Sequence, residues 1–246
     1  MSTPRIIVKK DPNDLSLSAA ELFASAAIEA IAARGRYAVS LSGGSTPRSL
    51  YARLAAEYGS LIDWSRVHFF FGDERFVPAD SPESNFRMVD EALFAPLGIA
   101  AHNIHRWRTE LGDPAAAAAD YEVHLKQFFD LAPGALPRFD LTLLGLGEDG
   151  HTASIFPGTP AVHETERLAI ANWVDKLQMH RLTLTLPVIN NSTQTVFIVA
   201  GTGKADIVRR IIDGPPTADL PASLVSATGN PLIWLLDAAA GARLDR

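Results

Sequence analysis

No cysteine occurs among the 246 residues, which excludes disulfides, thiolate catalysis and zinc sites built on sulfur. Positive charge is not in excess either: 22 Lys and Arg stand against 28 Asp and Glu, leaving −6 with histidine neutral. A nucleic-acid surface needs concentrated positive charge and is not expected, although a local basic pocket for a small anion is still allowed. Apolar stretches are strand-sized, shorter than the roughly 20 residues of a membrane span. Met1–Lys10 carries three basic residues with no apolar core after them, so no secretory leader is expected. The metallopeptidase His-Glu-x-x-His and the nucleophile elbow Gly-x-Ser-x-Gly are both missing. So are interior Gly/Ser or charged linkers and internal repeats. With 47% hydrophobic and 20% charged residues, what is left is a soluble globule. It is expected in the cytoplasm, without membrane or nucleic-acid partners, as one domain over residues 1–246.

Short β-branched runs alternate with helical patterns. Ile6–Val8, Tyr37–Leu41, Val67–Phe71, Phe139–Leu144, Val196–Ala200 and Leu232–Leu236 read as strands. Val67–Phe71 is nearly all apolar, as a strand buried on both faces should be. Lys9–Asn13 reads as a turn, after which Ser16 or Ser18 caps a helix to about Arg34, stopped by Gly35. Further helices are expected over Pro47–Tyr58, with the proline at its first position, over Ser84–Phe94 and over Ala115–Phe129. Such alternation implies parallel strands with crossover helices, an α/β sandwich. Leu168–Val174 and Arg181–Leu186 have no helix between them, which suggests a small β-hairpin excursion near 168–186.

Chemistry-bearing residues gather just after the strands. Ser42-Gly43-Gly44-Ser45-Thr46-Pro47 places two glycines and two hydroxyls at a helix start, a pattern suited to a phosphate or carboxylate, or else an ordinary capped glycine turn. It is not a Walker loop. Gly145-Leu146-Gly147-Glu148-Asp149-Gly150 matches the dinucleotide fingerprint, but Pro157 leaves no room for the helix that motif requires. His151 can serve as acid or base there, and Asp149 would orient its ring and raise its pKa if the two meet. Gly72-Asp73-Glu74-Arg75 reads equally as a solvated turn or as the source of an arginine fork for a phosphate or oxyanion. Lys204, at a helix start after a strand, and Arg181, on the hairpin edge, are further cations. His102 and His105 lack an acidic partner at ligand spacing and read as loop and strand residues, so no metal is expected.

These motifs, with Ser84-Asn85 and the run Gly147-Glu148-Asp149-Gly150-His151-Thr152-Ala153-Ser154-Ile155-Phe156-Pro157, resemble 6-phosphogluconolactonase, of the glucosamine/galactosamine-6-phosphate isomerase superfamily. The resemblance spans Ser42–Lys204 in order. It implies a sugar-phosphate isomerase-like α/β fold and hydrolysis of 6-phospho-D-glucono-1,5-lactone in the pentose phosphate pathway, with no cofactor and no metal. It further implies His151 as general base, Arg75 as stabiliser of substrate or oxyanion, and Asp73 and Asp149 as orienting groups. Ser42–Thr46, Asn85, Arg181 and Lys204 would bind the phosphosugar lactone. The related glucosamine-6-phosphate deaminases continue after the histidine into Asn-Glu-Pro and have Asp-Glu-Tyr in place of Asp73-Glu74-Arg75. A deaminase-like enzyme and a non-catalytic sugar-phosphate sensor are therefore the alternatives. A monomer or weak homo-oligomer is expected.

Overall fold

Among the described residues, seven strands lie side by side in one all-parallel sheet, and three more form a small antiparallel one. The computed structural model describes residues 4–226 and 231–244. In chain order its strands are β1 (Arg5–Lys9), β2 (Tyr37–Leu41), β3 (Val67–Phe71), β4 (Asp73–Arg75), β5 (Ile104–His105), β6 (Leu141–Leu144), β7 (Ala169–Val174), β8 (Met179–Leu184), β9 (Thr195–Val199) and β10 (Leu232–Asp237). The large sheet has the order β1-β10-β9-β6-β2-β3-β5, every neighbouring pair parallel. The expected α/β sandwich with a hairpin excursion is what forms. β7 and β8 pair antiparallel from Ala169↔Leu184 to Val174↔Met179.

The helices are α1 (Pro12–Arg34), α2 (Ser45–Glu57), α3 (Asn85–Val89), α4 (Ala95–Leu97), α5 (Pro114–Phe128), α6 (Leu186–Asn190) and α7 (Ala205–Asp213). Three depart from expectation for local reasons. α1 is capped by Asp11, which accepts from the Asn13 and Asp14 N–H groups at 3.0 Å, and so begins more than a turn before Ser16 or Ser18. α2 begins at Ser45, placing Pro47 third, still inside the first turn, where its missing N–H costs nothing. From Ser84, which caps it, α3 widens into a π turn over Asp90–Phe94 and continues as α4.

By length and composition α1 is a helix able to cross a membrane, which the strand-sized apolar runs had not suggested, and half of that stretch is buried in the protein. Leu15, Ala19, Phe23, Ala27 and Ala30 are the buried stripe, packed against α2, β10 and β2. β3 shows why the sheet is buried on both faces. Phe70 meets Phe128 and Phe139 on one side, while Phe69 and Phe71 meet Phe94 on the other. Each such ring contributes on the order of 1.5–3 kcal/mol by leaving water.

The strand order reverses between β2 and β6. From β2 the chain moves through α2 to β3 on one side, and from β6 through the hairpin to β9 on the other. Loops leaving the carboxyl ends of these two strands diverge and open a crevice, where sheets of this type hold ligands.

Candidate active site

At that crevice lies a cavity of about 450 Å³ fed by the ends of β9, β6, β2 and β3. Eleven of the twelve sequence-predicted residues line it: Ser42, Gly43, Gly44, Ser45 and Thr46 after β2, Asp73, Arg75 and Asn85 after β3, and His151, Arg181 and Lys204. The twelfth, Asp149, sits behind His151.

One wall is built from the β2–α2 loop. Tyr51 of α2 reaches back to clasp Ser42, accepting from its N–H at 3.1 Å and donating to its carbonyl at 2.8 Å. Gly44 turns the chain at φ 107°, and no side chain caps α2, whose first residues Ser45, Thr46 and Pro47 line the cavity. Gly43 lets Asn85 approach: a Cβ there would stand 2.0 Å from Asn85 Oδ1.

The segment Gly72–Arg75 is not a solvated turn. Asp73–Arg75 is strand β4, hydrogen-bonded along β8, and Asp73 and Glu74 are buried at 8% and 3% exposure. Glu74 accepts from the N–H groups of Arg75, Asn85 and Phe86 at 2.7–2.8 Å and from Ser84 Oγ at 3.1 Å, which fixes the start of α3. Burial nevertheless pushes its pKa up. Asp73 accepts from Ser154 Oγ at 2.7 Å and from Asn85 Nδ2 at 3.4 Å. β8 is the middle strand, so Arg181 is not at an edge; it stands opposite Arg75, and its buried Nε has no hydrogen-bond partner.

The glycine loop after β6 forms no dinucleotide helix. It folds back through Gly147 N–H to His151 C=O at 2.8 Å and a bridge between Thr152 and Ile155. His151 Nδ1 lies 2.5 Å from Asp149 Oδ1, so that nitrogen carries the proton and Nε2 keeps its lone pair. A Cβ at Gly147 would stand 2.0 Å from His151 Nδ1. The imidazole stacks on Phe156 with centroids 4.0 Å apart.

A family model described as glucosamine-6-phosphate isomerases/6-phosphogluconolactonase matches residues 10–234. The chain belongs to this family. The 6-phosphogluconolactonase of Nostoc sp. is 43% identical over 217 residues, covering 87% of this chain and 88% of that protein. The 6-phosphogluconolactonase of Mycobacterium tuberculosis is 39% identical over 242 residues, covering 95% and 96%. Among solved structures, the 6-phosphogluconolactonase from Trypanosoma cruzi superimposes with a TM-score of 0.90 at 30% identity, over 100% of this chain and 99% of that one.

In this member of the isomerase/lactonase family, His151 behaves otherwise than its Asp149 contact suggests. Its pKa is not raised but lowered to about 4: burial leads, Lys204, Arg181 and Arg75 add to it, and the pull of Asp73 does not compensate. The imidazole is neutral at physiological pH. Arg181 is likewise depressed by burial and by Arg75, with Asp73 and Glu74 opposing. Asp237 at the end of β10 accepts from Gly201 N–H at 3.0 Å, holding the loop that carries Lys204. Sequence reasoning missed four contributors. Ser154 and Phe156 lie in the quoted motif but show no spacing that marks them. Lys176 and Leu177 line the cavity from the hairpin tip, where a short charged turn looks like any solvated one.

Proposed function

We propose that this protein hydrolyses 6-phospho-D-glucono-1,5-lactone to 6-phospho-D-gluconate, the lactonase step of the pentose phosphate pathway, with His151 as general base. The observation that carries the reading is a neutral histidine, its Nδ1–H held by Asp149, facing a cavity ringed by Arg75, Arg181, Lys204 and the uncapped start of α2. His151 Nε2 would take a proton from water attacking C1 and return one to the ring oxygen as it leaves. Arg75 would meet the developing oxyanion. Lys204, Arg181 and the α2 N–H groups would neutralise the phosphate. A lactone is already activated, so no covalent nucleophile is called for. Phe156 under His151, where the deaminase pattern has a carboxylate, supports a dry platform for one base. We further propose that residues 1–246 form a single catalytic domain that acts in the cytoplasm on a small molecule.

The test is hydrolysis of freshly made lactone, corrected for spontaneous opening, beside deamination of glucosamine 6-phosphate. Lactone turnover without deamination is expected, with kcat/KM far lower on the unphosphorylated lactone. Deamination alone would make the chain a deaminase, and tight binding with neither turnover would make it a sensor.

A further inference from the structure

The hairpin tip reaches the base. Lys176, in the Asp175–Leu177 turn between β7 and β8, ion-pairs with Asp149 Oδ2, while Asp149 Oδ1 accepts from His151 Nδ1. One carboxylate thus holds an ammonium on one oxygen and the imidazole on the other. The ammonium also lies 5.0 Å from the centre of the Phe156 ring, the ring on which His151 stacks at 4.0 Å. Lys176 and His151 share both a carboxylate and an aromatic platform. Leu177, next in the turn, lines the cavity.

We propose that Lys176 is a positioning residue for His151: through Asp149 it aims the imidazole, offsets the charge of the carboxylate and ties the hairpin tip over the crevice. The inference rests on reading His151 as the base. An Asp–His pair alone presents a difficulty for a general base. The carboxylate that orients the ring also favours the imidazolium, which cannot accept a proton. A cation on the far oxygen offsets part of that field and leaves the hydrogen bond in place, so orientation comes with less protonation. The other charges facing His151 divide, Asp73 favouring the imidazolium and Lys204, Arg181 and Arg75 opposing it. Asp149 and Lys176 complete that set. Lys176 keeps half its side chain in water, so its influence is a matter of about tenfold in protonation rather than thousands.

The test is the NMR titration of the His151 ring in the free protein, for wild type, Lys176→Met and Lys176→Arg, together with kcat and KM for the phosphorylated lactone. The Met variant should raise the His151 midpoint by about 1 pH unit, from about 4, and so lower kcat about twofold at pH 5 while KM changes little. The Arg variant should restore both. In an Asp149→Asn background the same Lys176→Met change should move the midpoint less than half as far. An unmoved midpoint in Lys176→Met overturns the proposal, as does a tenfold rise in KM at constant kcat, which would make Lys176 a phosphate ligand. The titration needs no turnover. Failure of the base assignment would appear separately, as near-normal kcat in His151→Ala.

Discussion

Gly43 has a neighbour where a side chain would be: Asn85 Oδ1 stands 2.0 Å from its absent Cβ. Gly43→Ala must push Asn85 away from Asp73 and shift the β2–α2 loop. A displacement near 1 Å in such a site costs about 10²-fold in kcat/KM, and that is the expected loss, with the melting temperature altered only a little. Full activity in this variant would show that the loop tolerates a wider approach. His151→Ala should lower kcat by about 10²–10⁴-fold with the circular dichroism spectrum and affinity for 6-phosphogluconate kept. A variant that instead melts earlier and turns over at near the normal rate would make His151 a loop support.

At the scale of elements, β4 is the joint between the two sheets. It follows β3 after one residue, Gly72, and pairs with β8, and the buried Glu74 within it anchors α3. Glu74→Gln puts an NH2 group where backbone donors already point. The expected cost is about 1–3 kcal/mol, read as a lower midpoint in urea denaturation, and an unchanged midpoint would mean the donors find water. None of this could be seen in the sequence. Three residues carry no periodicity, and Asp-Glu-Arg is what a solvated turn looks like. The parallel strands were readable because Val67–Phe71, apart from His68, and Val196–Val199 are buried and hence almost continuously apolar. The cavity wall was readable because its residues directly follow such strands. Lys176 was not, since its approach to Asp149 depends on how far the hairpin leans over the sheet, a tertiary fact with no local signal. The start of α1 was missed for a smaller reason: Asp11-Pro12 is both a turn and a cap.

For the molecule as a whole, four histidines titrate low. Burial leads in each, bringing His105 to about 3 and His151 to about 4, with His68 and His124 shifted the same way. His68, His105 and His124 are linked through ring nitrogens at 3.1 and 2.7 Å, an arrangement that shares one proton per link. An unfolded histidine takes up a proton below about pH 6.5, while these folded ones resist until lower pH. Unfolding therefore binds protons in that window, and stability should fall as pH drops from about 6.5 to about 4. Glu74, with its raised pKa, works in the opposite sense just above the usual carboxylate range. Urea midpoints measured at pH 7, 6, 5 and 4.5 should decline steadily, and a flat series would show that the imidazoles are hydrated. The crevice adds its own dependence. Arg75 and Arg181 face one another across β4 and β8, and like charges directly opposite destabilise a strand pair. A polyvalent anion held between them would relieve that repulsion and would bind only the folded chain. Inorganic phosphate at 100 times its dissociation constant should then add about 2.7 kcal/mol, where sodium chloride at equal ionic strength does little. The melting curve of the resting protein thus becomes a gauge of crevice occupancy, readable in phosphate buffer without any lactone being opened.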